Sequence, residues 1–268
     1  MKLSKPSQSC SVDGTAYRVL GGGETIVLIH GVGMDQRSWQ PQIEALSQSH
    51  RVLTYDMLGH GESRLPPEGV QLADFAEQLL RLLDHLQIAR AHVVGHSMGA
   101  LVAMEFALRH PGRCTRLLAL NAVFQRSAEQ RAAVLERART LQSAGVAATV
   151  DATIARWFGA PVPAPLRAIA ALTTDILADV NATGYARAYA LFATSDEVHA
   201  EHLPRLAMPA LFITGEGDPN SSPAMSQAMA ALAPWGQAEI VPGARHMMNL
   251  TDAEAVNARL LRFITAAA

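Results

Sequence analysis

The sequence predicts an α/β fold in which a mostly parallel sheet carries helices on both faces and a helical insertion interrupts the pattern. Short apolar strand-like runs alternate with helical segments through residue 121, the alternation stops over 122–204, and it resumes over 205–268. Such alternation is typical of a parallel sheet covered on both sides. We therefore expect a core formed by 1–121 and 205–268 and a helical cap formed by 122–204.

The composition is typical of a globular protein with a sizeable core. Of the 268 residues, 49% are hydrophobic and 17% are charged, and the net charge is −2. This charge content is too low for disorder, and no basic cluster supports binding to nucleic acid or to an acidic membrane. We expect a small-molecule substrate as the partner, and a homo-oligomer is compatible with the sequence.

Cysteine usage and hydropathy bear on the compartment. Cys10 and Cys114 lie far apart and form no CxxC pair, which predicts neither a disulfide framework nor a cysteine zinc site. No signal-peptide core is visible near the first residue, and no apolar run approaches the roughly 18 residues of a membrane span. These features predict a cytoplasmic protein, and the arginine- and alanine-rich composition favours a bacterial source.

The elements before residue 121 begin with a hairpin over 8–20, because Asp13-Gly14 is a two-residue turn signal. Thr25–Ile29 has the continuous apolar character of a strand that is buried on both faces. The periodicity that follows predicts helices over 38–49, 72–86 and 100–109 and strands over 52–55, 91–94 and 117–120.

The elements after residue 121 are first helical and then alternating. Alanine- and arginine-rich sequence with helical spacing fills the expected cap and is broken by a proline-rich stretch over 159–165. Beyond the cap, the pattern predicts strands over 210–214 and 238–241 and helices over 221–232 and 252–263.

The most specific motif is Gly95-His96-Ser97-Met98-Gly99, which lies between a predicted strand and a predicted helix. A serine in such a sharp turn adopts strained dihedrals that only small neighbours tolerate, and its hydroxyl is lifted clear of the sheet. The next helix directs its N-terminal amides towards the same place. The motif therefore predicts Ser97 as a nucleophile.

A serine nucleophile needs a base and a group that orients the base. Asp218 follows the predicted strand 210–214, and His246 follows the last predicted strand. Both positions lie at the carboxyl end of the sheet, where ligands bind in open α/β folds. Glu216 is the rival of Asp218, and we favour Asp218 because it lies just beyond the tight Gly-Glu-Gly turn.

The other histidines have simpler interpretations. His30 and His60 lie in glycine loops and are expected to brace them, and the side chain of His96 is expected to point away from the nucleophile. His199 and His202 have the spacing of a helical metal pair, but no carboxylate or cysteine pattern completes a site. No metal site is predicted.

An acyl-transfer intermediate also requires amide donors for its oxyanion. Met98 supplies one backbone N–H, and Val32 in the glycine loop after the first buried strand is the expected second donor. The loop 59–63 contains no phosphate-binding helix signature, so neither a nucleotide nor another cofactor is expected.

With these motifs in order, the sequence resembles the α/β-hydrolase superfamily over nearly its whole length. Trp39-Gln40-Pro41-Gln42, Arg156-Trp157-Phe158, Gly184-Tyr185 and the segment 246–250 resemble the 3-oxoadipate enol-lactonases and their relatives, including the aminoacrylate hydrolase branch. The resemblance implies a hydrolase with the fold described above and a triad of Ser97, Asp218 and His246.

Substrate-pocket candidates come from the cap. Trp157 and Phe158 either roof an apolar pocket or pack the cap on the body. Arg156 is a candidate partner for a substrate carboxylate, although arginines on an alanine-rich helix are more often a solvated face. The same applies to four further cap arginines, Arg126, Arg131, Arg137 and Arg139.

The leading hypothesis is a serine hydrolase that uses a Ser-His-Asp triad on a small carboxylic ester or lactone through an acyl-enzyme. Hydrolysis of a C–C bond, hydrolysis of an enamine-type acid and cofactor-free perhydrolysis are alternatives that use the same triad. A ligand-sensing protein on the same fold is the non-enzymatic alternative.

Overall fold

One eight-stranded sheet organises the computed structural model, which describes residues 9–11 and 13–266. The strands of the described chain are β1 (Ser9–Cys10), β2 (Ala16–Leu20), β3 (Thr25–Ile29), β4 (Arg51–Tyr55), β5 (Ala91–His96), β6 (Cys114–Leu120), β7 (Ala210–Gly215) and β8 (Gly236–Val241). Their order is β1-β2-β4-β3-β5-β6-β7-β8. The pairs β1/β2 and β2/β4 are antiparallel and the remaining pairs are parallel, which confirms the predicted mostly parallel sheet.

The N-terminal hairpin is formed by β1 and β2, in which Ser9 pairs with Tyr17 and Cys10 with Ala16. Residues 8 and 12 of the predicted hairpin lie outside the described residues. The bounds of β3 agree with the prediction, and β5 continues two residues beyond its predicted end as far as His96.

Helices cover both faces of the sheet. Those in the described chain are α1 (Gln40–Leu46), α2 (Leu72–His85), α3 (Met98–Arg109), α4 (Ala128–Ala144), α5 (Val150–Phe158), α6 (Arg167–Asp179), α7 (Ala182–Ala193), α8 (Pro223–Leu232), α9 (Met248–Thr251) and α10 (Ala253–Thr265). The first predicted helix begins instead as a 3₁₀ turn over Gln36–Trp39, and α9 was not predicted. No helix of the described chain is long and apolar enough to span a bilayer.

The two faces of the sheet bury separate apolar clusters. Val27 and Ile29 of β3 belong to a large cluster with α2, α3 and the helices between β6 and β7, whereas Ile26 and Leu28 belong to a smaller cluster with α1 and α10. Successive side chains of a strand point to opposite faces, so every residue of β3 is buried on one side or the other.

The helices α4 to α7 occupy the insertion between β6 and β7 and rest on the loops at the carboxyl edge of the sheet. Gly184 of α7 and Gly59 approach so closely that a Cβ atom on either glycine would overlap the backbone of the other. A Cβ atom on Gly33 would meet the Tyr185 ring at 2.9 Å. These two close contacts place α7 directly over the loops that follow β3 and β4.

Candidate active site

The turn between β5 and α3 contains Ser97 in a strained conformation, with φ of 55° and ψ of −117°. A non-glycine residue with positive φ is costly and persists only where the surrounding structure determines it. Two glycines make the turn sterically possible, because a Cβ atom on Gly95 would overlap the Gly99 carbonyl and one on Gly99 would overlap the Ile29 carbonyl. The strained turn predicted from the motif is therefore present.

His246 and Asp218 form a buried hydrogen-bonded pair. The Nδ1 atom of His246 donates to Oδ2 of Asp218 at 2.8 Å. Burial would raise the pKa of Asp218. The electrostatic attraction and the hydrogen bond of His246, together with hydrogen bonds from the following loop, lower this pKa to about 2. With the proton on Nδ1, the Nε2 atom of His246 is an acceptor and can serve as a base.

Additional donors hold the Asp218 carboxylate. Ser221 Oγ and Asn121 Nδ2 each donate to Oδ2 at 2.6 Å, and the Asn220 amide donates to Oδ1 at 2.8 Å. Asn121 and Ser221 were not among the site residues predicted from the sequence. A signal for Asn121 exists, since it directly follows β6 at the carboxyl edge of the sheet, next to the strand that precedes Asp218.

Glu216, the rival of Asp218, is engaged elsewhere. Its Oε2 atom accepts the Gly243 amide at 2.9 Å. The residue is exposed, whereas Asp218 is buried and contacts His246. The geometry thus brings together Asp218 and His246.

His96 contacts the loop that contains His246. Its Nε2 atom donates to the main-chain carbonyl of His246 at 2.8 Å, and the two ring centroids are 5.0 Å apart. Burial lowers the pKa of His96 to about 3, so the ring is neutral. The contact is possible because β5 extends to His96, whose side chain faces the loop that follows β8.

His30 and His60 brace the loops, as predicted. The Met57 amide donates to His30 at 2.9 Å and the Gly33 amide donates to His60 at 3.0 Å. His199 donates to Glu105 at 2.9 Å and so engages a carboxylate instead of pairing with His202. The described part of the chain contains no cluster of three or more potential metal ligands.

The candidate oxyanion donors flank Ser97. Met98 is the first residue of α3, and amides in the first turn of a helix have no partner within it. In the loop after β3, the amide of Gly33 donates to His60 and the amide of Met34 donates to the Gly31 carbonyl. Val32, between these residues, lines the same cavity as Ser97.

That cavity, with a volume of about 100 Å³, brings the candidate residues together under the insertion. Arg156 and Trp157 line it, whereas Phe158 is 1% exposed, belongs to the large apolar cluster and is absent from the lining. Of the two alternatives for Phe158, the structure favours packing against the body over lining the pocket. The lining consists of Val32, Ser97, Arg126, Gln130, Ala133, Arg137, Arg156, Trp157, Tyr189, Phe192, Pro219, Asn220 and His246.

Among the residues that the structure describes, three arginines and no carboxylate line the cavity. Arg126 is paired with the buried Asp196 at 3.2 Å. Arg137 donates to the Tyr189 hydroxyl at 3.1 Å and Arg156 to the Thr153 hydroxyl at 3.3 Å. Burial lowers the pKa of Arg156.

Neither Arg137 nor Arg156 forms an ion pair with a carboxylate of the described residues. The other two candidate arginines lie outside the cavity, where Arg131 pairs with Glu197 and Arg139 with Glu136. The cap arginines are thus divided between a solvated face and the cavity.

Known proteins resemble the chain over nearly its full length. It is 36% identical over 256 residues to the (E)-2-((N-methylformamido)methylene)succinate hydrolase of Acinetobacter baylyi, with 95% of each chain covered. It is 32% identical to 3-oxoadipate enol-lactonase 1 of the same organism, with 85% of this chain and 84% of the relative covered. The crystal structure of the enol-lactonase from Burkholderia xenovorans superposes with a TM-score of 0.87 and 31% identity, covering 97% of this chain and 100% of that one.

A family model described as the alpha/beta hydrolase fold matches residues 24–253. This range includes the strained serine turn, the His246–Asp218 pair and the whole helical insertion. The relatives named above are hydrolases. The chain therefore belongs to the alpha/beta hydrolase family and is a hydrolase.

Proposed function

We propose that this hydrolase cleaves a small carboxylic ester or lactone that carries a free carboxylate, and that it does so through an acyl-enzyme on Ser97. The observation that carries the proposal is the cavity in which Ser97 and His246 meet two arginines without carboxylate partners in the described chain. The His246–Asp218 pair supplies a base whose tautomer is fixed by a buried carboxylate.

The chemistry follows the sequence of proton transfers that a serine triad performs. Nε2 of His246 takes the Ser97 proton as Oγ attacks the carbonyl carbon, and the amides of Val32 and Met98 stabilise the oxyanion. His246 then protonates the leaving oxygen, and the acyl group stays on Ser97. In the second half, His246 takes a proton from water, the hydroxide attacks the acyl carbon, and Ser97 leaves with the proton.

The charge of the cavity supports an anionic substrate. Burying a guanidinium without a counter-ion is costly, and a carboxylate can accept two parallel N–H donors from one arginine. The side chains of Arg137 and Arg156 bond only to hydroxyl oxygens among the described residues. A substrate carboxylate would supply the direct ion pair that neither arginine forms with a described residue. The cavity volume of about 100 Å³ favours a compact molecule.

A second candidate is hydrolysis of an enamide-type acid at a C–N bond. It is favoured by the 36% identity, over 95% of both chains, to a relative named for a methylformamido-methylene succinate. The same serine, base and oxyanion donors suit an amide carbonyl, with His246 protonating the leaving nitrogen.

A substrate series tests the proposal. Mono-p-nitrophenyl succinate and p-nitrophenyl butyrate are similar in length and differ in one carboxylate. We expect kcat/KM to be about tenfold or more higher for the acid, because one charged hydrogen-bonded pair contributes roughly 1.5–3 kcal/mol. Equal or lower activity on the acid contradicts the anionic preference.

A comparison of kcat/KM for enol-lactones and for N-acylaminomethylene succinates, under the same conditions, distinguishes C–O bond hydrolysis from C–N bond hydrolysis. The bond type cleaved with the higher kcat/KM identifies the reaction. Turnover of ring-cleavage diketones alone, or of peroxide with acetate alone, would replace both by the C–C or perhydrolase alternatives.

A further inference from the structure

The His246 ring contacts an indole that comes from the insertion. The centroids of Trp157 and His246 are 5.6 Å apart and the ring planes are inclined by 30°, which is a stacked arrangement. Both side chains are buried, and both line the cavity that contains Ser97. Trp157 therefore does more than form part of the cavity wall, because its ring lies against the imidazole itself.

A second contact fastens the same two segments together. The guanidinium of Arg245 donates to the main-chain carbonyl of Arg156 at 3.1 Å. Two successive residues at the end of α5, 156 and 157, thus contact two successive residues of the loop after β8, 245 and 246. The Arg245 side chain thus fastens the main chain next to Trp157 to the loop that contains His246.

We propose that Trp157 is a positioning residue for His246, which holds the imidazole by stacking and stabilises the imidazolium that forms when His246 takes the Ser97 proton. The proposal rests on the proposed function, since it assigns His246 the role of base. An aromatic face attracts a cation electrostatically, and the attraction is stronger when both groups are removed from water.

The groups around His246 differ in whether they favour a positive charge on its ring. Asp218, from the loop after β7, favours the imidazolium from the Nδ1 side. His96, at the end of β5, is neutral, and its ring lies close by. Arg156 of α5 and Arg245 of the His246 loop are cations, which oppose a positive charge on the ring.

Arg137 of α4 and Arg126, just before α4, line the same cavity and add to that opposition, although Arg126 is paired with Asp196. On the insertion side of His246, the electron-rich indole face is accordingly the group that favours the cation.

The test measures the titration of His246 and the reactivity of Ser97 in matched variants. Trp157→Leu keeps an apolar side chain and removes the aromatic face, whereas Trp157→Phe keeps a smaller aromatic face. Trp235→Leu is the control, because it is the same substitution at a tryptophan that is 60% exposed and outside the cavity. The readouts are the ring resonances of His246 by NMR and the rate of inactivation by a small fluorophosphonate, each as a function of pH.

In Trp157→Leu, we expect the His246 titration midpoint to fall by about 0.5–1 pH unit and the inactivation rate at its high-pH plateau to fall about three- to tenfold. Trp157→Phe should lie between Trp157→Leu and the parent, and Trp235→Leu should match the parent. A midpoint that stays constant or rises in both Trp157 variants overturns the proposal. If the parent itself is not labelled at Ser97, the proposed function fails, and the NMR titration still decides whether the stack favours the imidazolium.

Discussion

Two carboxylates that are two positions apart differ in whether they contact His246. Asp218 accepts a hydrogen bond from the imidazole, and Glu216 accepts one from the Gly243 amide. We expect Asp218→Asn to lower kcat by roughly 10³- to 10⁴-fold, because the imidazole loses its tautomer and its charge partner. Glu216→Gln, the matched control, should stay within about threefold of the parent. Steady-state kinetics on the best ester checks both, and the reverse ranking would transfer the orienting role to Glu216.

At the scale of single residues, positional signals in the sequence led to the candidate triad, whereas the partners of its members depend on contacts between distant segments. Ser97, Asp218 and His246 follow strands or precede a helix in a recognisable order. The hydrogen bond from His96 to the main chain of His246 joins positions 150 residues apart, and no local pattern encodes it. The donors Asn121 and Ser221 are likewise defined by the convergence of β6 and β7, which only the assembled sheet creates.

A hydrogen bond between His199 and Glu105 links α3 to the end of the insertion. The hydrogen bond from His199, with that of Arg109, lowers the pKa of Glu105 from 4.5 to about 2. A carboxylate with a depressed folded-state pKa contributes stability above its unfolded pKa, and this contribution is lost as the pH falls through the folded value. We therefore expect the stability difference between the parent and Glu105→Gln to be constant above about pH 5 and to shrink between about pH 4.5 and 2.

Urea unfolding at several pH values measures this difference. A charge-assisted hydrogen bond contributes roughly 1.5–3 kcal/mol, so the difference at pH 7 should be of that order. Glu136→Gln is the control. Glu136 pairs with Arg139 on the exposed side of α4, so this substitution should change the free energy of unfolding little. A difference for Glu105→Gln that does not depend on pH would contradict the account of this pair.

One face of α4 lines the cavity. Gln130, Ala133 and Arg137 recur at intervals of three and four residues and share that face, whereas Arg139 points to solvent and pairs with Glu136. The sequence did not predict this orientation, because α4 is rich in alanine, arginine and glutamine all round and has no clear apolar stripe. The buried Val134 and Leu141, together with the partly buried Leu135 and Ala138, pack α4 against the core.

The orientation of α4 and α5 gives a prediction for the arginines. We expect Arg137→Gln and Arg156→Gln to raise KM for the carboxylate-bearing ester by about 10- to 100-fold each and to leave KM for the neutral ester within about threefold. Arg139→Gln should behave as the parent on both substrates. Parallel KM measurements on the two esters provide the check. An equal rise in KM for both esters would show that the arginines maintain the structure of the site and do not bind the substrate carboxylate.

For the whole molecule, the order of strands and helices was predictable because each parallel strand is a short apolar run and each core helix has its own apolar stripe. The strand β3 and the helix α2 agree with the sequence prediction to within one residue. The seating of the insertion was not predictable, since it depends on glycine contacts such as that between Gly59 and Gly184, which are distant in sequence.

The cavity enclosed by the body and the insertion limits the size of the substrate. Its volume of about 100 Å³ is well below that of sites for drug-sized ligands. We expect activity on p-nitrophenyl esters to be highest for short acyl chains and to fall well before twelve carbons. A preference for long chains, measured as kcat/KM across the series, would contradict an enclosed site.

The proposed mechanism requires Ser97 to carry the acyl group, and covalent labelling followed by peptide mass spectrometry tests this requirement on the serine itself. After incubation with a fluorophosphonate, we expect one adduct per chain, located on Ser97, and a Ser97→Ala protein that is folded, unlabelled and reduced in kcat by about 10⁴- to 10⁶-fold. Ser143→Ala, which alters an exposed serine of α4, should be labelled as the parent is. An adduct on another residue, or a Ser97→Ala enzyme that keeps more than about a tenth of the activity, would contradict the account.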